Sequence, residues 1–531
     1  MNIDLLLTGG QVVDGTGAPV RVADVGVTAG RISYLGPSIP GASAAETVDC
    51  AGLAVAPGFI DIHTHSDLTV LAEPGADSAV LQGVTTQVVG NCGFSPFPAN
   101  DARRDLLEDH VGGIGGERVP IAWTDLDGYD AALTERPPAI NVVPLVGHGA
   151  LRIAAMADPY RDASPVEVAT MVTLLRRCLE QGAAGMSTGL TYPPSALADP
   201  GEIGTLAATC AAAGRMYATH ARGLAGNEAG AIDEAIAVAR ETGVRLEYSH
   251  LALNNPANWG HAADSLRRFE SAAAAGLAVG FDVYPYDASS SSAVQYLPYW
   301  VQEGGSDAIA QHAVDPAWRS AALAAIGEGF FGGIAWQWER IVLSAAPGAG
   351  EIVGRSFAEI ADLWRVSPEQ VLLDLCAEYG SSAQVVLHYR TEQDMQAFLA
   401  HPLSVVGSDG LARPRILAAD HPHPRSYGTF PRVLGRYVRE LGLLDLPAAV
   451  HKMTGAPAER LGLTDRGRIA EGHVADLVLF DPQVVTDRAS FAEPCLPPDG
   501  VLRTIVAGRT VMAGGTVGDD RPGRLVRCGN R

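Results

Sequence analysis

The sequence predicts an α/β protein whose centre is a closed (β/α)8 barrel of the TIM type, with a small β-sandwich built from both ends of the chain. Three observations carry this prediction. Eight short apolar runs are each followed by helical or loop sequence, both termini are rich in short β segments, and one connection is far longer than the others. Strands that alternate with helices favour a parallel sheet, and eight such units close a barrel.

Composition limits the class of protein. The 531 residues are 47% hydrophobic and 18% charged, which is typical of a globular chain with a large core. Acidic residues outnumber basic ones by 60 to 38, and the formal charge of -22 disfavours binding to anionic nucleic acid. We therefore expect a small-molecule substrate and no nucleic-acid partner, and we leave homo-oligomer formation open.

Location follows from three further features. No apolar run approaches membrane-spanning length, and the amino terminus has no basic segment followed by a long apolar stretch. Seven cysteines are widely spaced in a long chain, unlike a secreted disulfide framework. These features predict a cytoplasmic protein with reduced thiols and no membrane partner.

The two chain ends are predicted to fold together. Short β segments separated by glycine-rich turns occupy Asp4 to Asp49, and β character returns after about residue 464. We predict that residues 1–56 and 465–531 pair into the β-sandwich and that residues 57–464 form the barrel.

The barrel strands are predicted from apolar runs bounded by turns, each followed by helical or loop sequence. The eight predicted strands are Gly58 to His65, Thr85 to Cys92, Asn141 to His148, Ala184 to Gly189, Met216 to His220, Arg245 to His250, Ala278 to Tyr284, and Ser404 to Asp409. Among the helices between them, Pro165 to Gln181 has Ser164 as a candidate N-cap and Gly182 just past its end. A second clear helix is predicted over Asn227 to Thr242.

More than a hundred residues separate the seventh and eighth predicted strands. Structureless connections longer than about 15 residues are uncommon in compact domains. We therefore predict an insertion at about residues 288–400 that folds as a lid or subdomain.

Six side chains that can bind a metal lie where these apolar runs end in turns. Polar groups at the carboxyl ends of parallel barrel strands point into the mouth of the barrel, where active sites of this fold are built. We therefore predict that the six converge: His63, His65, Cys92, His220, His250 and Asp409.

Residue type and spacing support a metal site. His63 and His65 are two apart, so in a strand both imidazoles lie on one face. His220 and His250 are separated by thirty positions, about one βα repeat, which places them at the same level on neighbouring strands. Each has a simpler interpretation, because a lone histidine is more often a satisfied core residue.

Cys92 and Asp409 also have two interpretations. A buried cysteine is usually structural, whereas a thiolate at the end of Thr85 to Val89 would bind zinc tightly. Asp409 in Ser408-Asp409-Gly410 could be a turn or helix-cap residue. At the mouth of the last strand, its carboxylate could instead take a proton from water and pass it to a leaving amine.

Taken together, the motifs resemble the D-aminoacylase (N-acyl-D-amino-acid deacylase) family of the metal-dependent amidohydrolase superfamily, over nearly the whole chain. The joint pattern is specific, although single pieces are not. The matching segments are Leu6 to Gly10, Val13 to Gly17, Pro57 to Asp67, Gly90 to Gly93, Gly189 to Pro194, Thr219 to Arg222, Ser249 to Leu251, Phe281 to Tyr286, Gly407 to Gly410, His423 to Arg432 and Ala470 to Val478.

The resemblance implies zinc-dependent hydrolysis of a C–N amide bond, most simply deacylation of N-acyl-D-amino acids. It implies one tightly held zinc on Cys92, His220 and His250, and a second, weaker or optional metal position at His63 and His65. Asp409 would be the general base and acid.

The resemblance also implies substrate-binding residues. Tyr284 and Arg425 would meet the substrate's carboxylate or scissile carbonyl, and Tyr192 would line the pocket. The alternatives are a core aromatic for Tyr284 and a surface ion pair for Arg425.

Lysine usage departs from the family pattern. The family usually has a lysine two residues after the histidine that corresponds to His250, and here that position is Ala252. Loss of this cation should weaken binding of a free carboxylate unless Arg425 or another arginine compensates. Related enzymes that bridge two metals with a carboxylated lysine carry it on the fourth strand, but Gly182 to Gly189 has none and the one lysine of the chain is Lys452.

Two rival functions remain. A related amidohydrolase could act on a cyclic amide, a dipeptide or a carbamoyl compound, which Ala252 makes plausible. A catalytically silent scaffold of the same fold would be expected to have lost some of the six candidate residues, and this chain keeps all of them.

Overall fold

The structure is a computed structural model of the whole chain. It describes residues 3–38, 43–115, 119–222, 227–331, 333–415 and 421–529.

Twenty strands lie in these described ranges. In chain order they are β1 (Ile3–Val12), β2 (Arg21–Thr28), β3 (Arg31–Gly36), β4 (Ala44–Asp49), β5 (Ala54–Pro57), β6 (Phe59–Asp61), β7 (Val84–Val89), β8 (Asn141–Gly147), β9 (Gly185–Gly189), β10 (Met216–His220), β11 (Arg245–Tyr248), β12 (Val279–Val283), β13 (Ser289–Ser292), β14 (Ile341–Ala345), β15 (Gln384–Leu387), β16 (Ser404–Val406), β17 (Leu477–Phe480), β18 (Val501–Val506), β19 (Arg509–Ala513) and β20 (Thr516–Val517).

Helices connect most of the strands. They are α1 (Thr69–Ala72), α2 (Asp77–Val80), α3 (Arg104–Gly115), α4 (Leu126–Glu135), α5 (His148–Ala155), α6 (Pro165–Glu180), α7 (Pro200–Ala212), α8 (Glu228–Thr242), α9 (Ala262–Ala274), α10 (Tyr299–Gln302), α11 (Gly305–His312), α12 (Pro316–Gly327), α13 (Phe357–Trp364), α14 (Pro368–Tyr379), α15 (Glu392–Ala400), α16 (Arg425–Arg432), α17 (Leu446–Met453) and α18 (Gly455–Leu461). A π-helix, Val433–Glu440, continues α16. No helix within the described ranges is both long enough and apolar enough to cross a membrane.

The barrel is an eight-stranded parallel sheet. Its order is β16-β12-β11-β10-β9-β8-β7-β6, so each of the eight predicted barrel strands is confirmed. The two ends of this sheet meet at the mouth, where the backbone N–H of Asp409 donates to the His63 carbonyl at 2.8 Å and that of His65 donates to the Gly410 carbonyl at 2.9 Å. Closure therefore brings residues after β6 directly beside residues after β16.

Local sequence explains the helix ends. The Ser164 hydroxyl and the Glu167 carboxylate form a capping box at the start of α6, and Pro165 occupies its first turn. Asn227 caps α8, which ends at Gly243 in the left-handed conformation. Both predicted helices are confirmed to within one residue at each end.

Strands from both termini form one nine-stranded sheet. β5, which directly precedes the barrel, pairs with β1 from the amino-terminal segment and with β17 from the carboxyl-terminal segment. Its apolar core combines residues of both segments, among them Leu7, Val25 and Leu477. The two chain ends therefore fold together, while the exact boundaries at residues 56 and 465 stay a prediction.

The insertion is a folded unit with its own core. β13, β15 and β14 form a three-stranded antiparallel sheet, and α10 to α14 lie in the same segment. Its buried apolar residues form a cluster separate from the barrel core. The predicted insertion between the last two barrel strands is thus present, and it lies beside the barrel mouth because β13 follows β12 after only five residues.

A buried ionic network connects α5 and α7. Arg152 is fully buried and donates to both carboxylate oxygens of Glu202 at 2.8 and 2.7 Å. Glu202 also accepts from His148 Nε2 at 2.8 Å, and His148 Nδ1 lies 3.0 Å from the Ser195 hydroxyl. A buried pair of this kind is costly to break because removal of one partner leaves an uncompensated charge.

We expect Arg152→Met to lower the free energy of unfolding by about 3–5 kcal/mol, because the Glu202 carboxylate would stay buried without its cation. Urea or thermal unfolding measures the loss. Arg267→Met is the matched control, since Arg267 pairs with Asp264 on the exposed surface and such pairs contribute about 0–1 kcal/mol. Equal melting midpoints for the two variants would contradict the assignment.

Candidate metal centre and active site

Three of the candidate residues lie just beyond barrel strands, on unusual backbone. Cys92 follows β7 in the short 3-10 turn Asn91–Gly93, His250 follows β11, and Asp409 follows β16. All three have positive φ, at 52°, 35° and 52°. Non-glycine residues rarely adopt this region, and strain of this kind is concentrated at functional sites. The turns thus hold three side chains in directions that regular strands would not give.

Cys92, His220 and His250 form a compact triangle of donor atoms. Cys92 Sγ lies 3.5 Å from His250 Nε2 and 3.9 Å from His220 Nδ1, and the two nitrogens are 2.9 Å apart. A tetrahedral zinc ion would place two nitrogens about 3.3 Å apart and a nitrogen and a sulfur about 3.5 Å apart. The observed spacings lie within about 0.4 Å of these values, so the three residues fit a shared zinc ion.

His63 lies between this triangle and Asp409. Its Nε2 is 3.3 Å from Cys92 Sγ and 3.5 Å from an Asp409 carboxylate oxygen. Two groups of possible ligands therefore share His63: His63 with Cys92 and His250, and His63 with His65 and Asp409. The structure thus brings all six predicted side chains together, and it places His63 against both candidate metal positions rather than beside His65 alone.

The Asp282 carboxylate orients two of the candidate metal ligands, His63 and His250. Its carboxylate accepts from His63 Nδ1 at 3.0 Å and from the backbone N–H of His250 at 2.9 Å. The first contact fixes the orientation of the His63 ring, whose Nε2 lies 3.3 Å from Cys92 Sγ. Such carboxylate partners are regular features of histidine metal sites.

Burial keeps the two imidazoles of the triangle neutral, which is the form that binds a cation. Burial lowers the pKa of His220 to about 3 and holds the pKa of His250 well below its usual value, so both rings are neutral and offer a lone pair. Burial also raises the pKa of the Cys92 thiol to about 11, although His63 opposes the shift. A thiolate at neutral pH therefore needs a positive ion beside it.

Asp409 is held as a carboxylate. Burial alone would raise its pKa, but the Arg425 guanidinium at 2.7 Å and His65 Nε2 at 2.9 Å hold that pKa well below the usual value. The alternative interpretation of Arg425 as a surface ion pair is therefore wrong, because Arg425 and its partner Asp409 are both buried. Arg425 also donates to the Ser290 carbonyl at 3.0 Å, so both of its terminal nitrogens make hydrogen bonds within the protein.

The predicted substrate-binding tyrosines face the same cavity. The Tyr192 hydroxyl lies 3.1 Å from His220 Nδ1, while the buried Tyr284 hydroxyl makes no hydrogen bond to the described residues. A cavity of about 120 Å³ opens beside the metal triangle. Its lining includes Tyr192, His220, His250, Tyr284, Arg390 and Asp409.

Sequence reasoning missed three residues of this site. Asp282 is part of a buried strand motif and carries no signal of its own beyond its position one residue before the end of β12. Arg390 and Phe331 come from the insertion, whose relation to the barrel mouth no local pattern reveals. Arg390 stacks on the Tyr284 ring at 4.5 Å and donates to Asn254 Oδ1 at 2.9 Å.

A parallel (β/α)8 barrel with a cysteine, histidines and an aspartate converging at its mouth has the architecture of a metal-dependent hydrolase. Residues 46–512 match the model of the Amidohydrolase family, and the chain belongs to that family.

Known relatives agree over the full length. The chain is 38% identical over 529 residues to an N-acyl-D-glutamate deacylase of Alcaligenes xylosoxydans xylosoxydans, covering 99% of this chain and 96% of the relative. An N-acyl-D-glutamate deacylase from Bordetella bronchiseptica, solved with zinc and a phosphonate mimic of the tetrahedral intermediate, superposes with a TM-score of 0.84 at 35% identity, over 99% of this chain and 100% of that one. A D-aminoacylase with a binuclear metal centre, activated by one metal and attenuated by a second, superposes with a TM-score of 0.82 at 35% identity. The match covers 99% of this chain and 100% of that one. The family resemblance inferred from the motifs is confirmed.

Proposed function

We propose that this protein is a zinc-dependent hydrolase that removes the acyl group from N-acyl-D-amino acids. The observation that carries the proposal is the triangle of Cys92, His220 and His250 beside the ion-paired carboxylate of Asp409. The solved relatives with zinc and with one activating metal support the choice of ion and of a single essential site.

Cys92, His220 and His250 would hold the essential zinc, and His63, His65 and Asp409 offer a second, weaker position. A cysteine with imidazoles is a donor set that zinc favours. Zinc in this setting supplies Lewis acidity, which lowers the pKa of water toward about 7 and polarises a carbonyl. A reducing, cytoplasmic setting belongs to the proposal, because Cys92 can serve as a ligand only while its thiol is reduced.

Asp409 would carry the proton. Its carboxylate accepts a proton from the attacking water and then delivers it to the departing amide nitrogen as the C–N bond breaks. Arg425 keeps the carboxylate in place from the opposite side, at 2.7 Å. The free hydroxyl of Tyr284 faces the cavity and can donate to the oxygen of the scissile carbonyl as negative charge develops there.

Arg390 would bind the substrate's carboxylate in place of the lysine that Ala252 replaces. Both Ala252 and Arg390 line the cavity. Arg425 is committed to Asp409, whereas Arg390 is half-buried and its described hydrogen bond goes to the neutral Asn254 side chain. A guanidinium that lacks a carboxylate partner in a cavity is suited to a carboxylate of the substrate.

The proposal is tested by elemental analysis of the purified protein together with a hydrolysis screen. We expect about one zinc per chain and turnover of N-acetyl-D-amino acids in preference to their L-enantiomers. The second candidate function is that of a related amidohydrolase that acts on cyclic amides, dipeptides or carbamoyl compounds, and the absence of the family lysine at Ala252 supports it. The same zinc content with turnover of only these compounds would favour this second function.

We expect Arg390→Gln to raise the KM for an N-acetyl-D-amino acid about 10- to 100-fold, because a hydrogen bond to a charged group contributes about 1.5–3 kcal/mol. The corresponding N-acetyl-D-amino acid amide lacks the carboxylate, so its KM should stay the same. Arg340→Gln is the control, because Arg340 stacks on Trp259 at 5.6 Å and donates to the His388 carbonyl, away from the cavity lining. A KM that rises equally for acid and amide would refute this role for Arg390.

A further inference from the structure

We propose that the substrate's amino-acid side chain is uncharged and aromatic or branched aliphatic, and that Phe331 of the insertion selects it. This inference rests on the proposed function and specifies which N-acyl-D-amino acids the site accepts. It is carried by the distribution of charge in the cavity, by its apolar wall and by the position of Phe331.

The positive charge in the cavity is enough to bind one carboxylate of the substrate. The cations of its described lining, apart from histidines, are Arg222 and Arg390. Arg222 is already neutralised, since it pairs with Glu234 at 3.2 Å and donates to the carbonyls of Ala196 and Ala198. Arg390 therefore remains for the substrate, and the α-carboxylate would take it.

A second carboxylate would meet unfavourable surroundings. Glu228 also lines the cavity, and no described cation is ion-paired with it. The adjoining positions 223–226 and 332 lie outside the described residues, and none of them is a charged residue. An acidic side chain on the substrate would lose its hydration without gaining a positive partner among the described lining residues, which is costly.

The insertion supplies an apolar wall. Phe330, Ile334 and Leu387 line the cavity and are buried, and Phe331 lies beside them. Phe330 is fixed within the insertion core, with its ring 4.7 Å from Trp336 and 5.4 Å from Tyr389. Pockets lined in this way gain binding energy from apolar area and aromatic contacts rather than from charge.

Phe331 joins the insertion to the barrel mouth. Its ring lies 5.2 Å from Tyr296 of the insertion and packs against the cluster of Cys92, Phe94 and Tyr192 at the metal triangle. Its φ is 46°, a conformation that is unfavourable for a bulky residue. The aromatic side chain is thus held at the boundary between the metal triangle and the apolar wall, where it can contact the substrate side chain.

The matching relative that acts on N-acyl-D-glutamate provides the contrast. If this chain shared that preference, its cavity would need a second uncompensated cation for the side-chain carboxylate. Among the described lining residues, Arg390 alone is available. The overall identity to this relative therefore does not imply the same preference for an acidic side chain, because a few cavity residues determine substrate preference.

The test is a comparison of kcat/KM among N-acetyl-D-amino acids that share the α-carboxylate. With zinc-loaded protein we expect the phenylalanine and leucine derivatives to exceed the glutamate and aspartate derivatives by about 100-fold or more. Turnover of the panel with the acidic derivatives preferred would overturn this inference and leave the proposed function standing. Failure to hydrolyse any member would overturn both.

A variant tests the role of Phe331. Phe331→Gly removes the ring and favours the positive φ, so the backbone should be retained. We expect the kcat/KM ratio of N-acetyl-D-phenylalanine to N-acetyl-D-alanine to fall about 10-fold or more, and Trp364→Ala, on the exposed surface of the insertion, to leave the ratio unchanged. Because both substrates are measured on the same protein, partial unfolding cancels, and a ratio within twofold of the parent would overturn the role of Phe331.

Discussion

Cys92→Ala is expected to abolish tight zinc binding and to lower kcat/KM by at least about 1000-fold. The thiol lies 3.5 and 3.9 Å from the nitrogens of His250 and His220, so its removal takes the single anionic donor from the triangle. Without a bound cation, the pKa of water returns from about 7 to its far higher value in bulk solvent, and the nucleophile is lost. Metal content by elemental analysis and steady-state kinetics measure the two effects.

Cys178→Ala is the matched control for this variant. Cys178 is also a buried free thiol, but it lies in α6 on the outside of the barrel. It should keep full metal content and near-normal activity. If Cys92→Ala also kept its zinc and its activity, Cys92 would be a structural core thiol, as its burial alone would suggest.

Asp409→Asn is expected to retain zinc and to lose turnover by about 100- to 10,000-fold, the range that a positioned proton-transfer group contributes. An asparagine has nearly the same shape and can still contact Arg425 and His65, but it cannot accept and return a proton. The metal triangle of Cys92, His220 and His250 does not include this residue, so zinc content separates a catalytic loss from a loss of the site.

Asp476→Asn provides the comparison, because Asp476, just before β17, is another buried carboxylate with an arginine partner, Arg466. It should change stability rather than kcat. A normal kcat in Asp409→Asn, with zinc bound, would remove Asp409 from the chemistry.

The barrel was predictable because its strands are buried on both faces. Runs such as Asn141 to His148 and Met216 to His220 are continuous and bounded by turns, and burial on both faces favours continuous apolar runs. The thirty-residue interval between His220 and His250 predicted their proximity but not their register, because Thr219 pairs with Tyr248 and His250 therefore lies one residue beyond the position opposite His220. The positive φ of His250 is a local feature that the interval does not reveal.

Side-chain partnerships could not be predicted in the same way. Arg425 binds Asp409, 16 residues away in sequence, and no periodic pattern signals this contact. His63 contacts both candidate metal positions because the barrel closes between β6 and β16. Arg390 and Phe331 reach the cavity from the insertion. The sequence predicts that the insertion folds, but it does not predict where the insertion packs against the barrel. These contacts depend on tertiary packing between segments that are distant in sequence.

The central claim is that one thiolate and two imidazoles, from the carboxyl ends of β7, β10 and β11, hold a single zinc ion. X-ray absorption at the zinc edge of protein loaded with one equivalent tests it directly. We expect one sulfur at about 2.3 Å and nitrogen donors at about 2.0–2.1 Å, with the sulfur contribution absent in Cys92→Ala. A zinc environment made only of nitrogen and oxygen in the parent protein would contradict the claim.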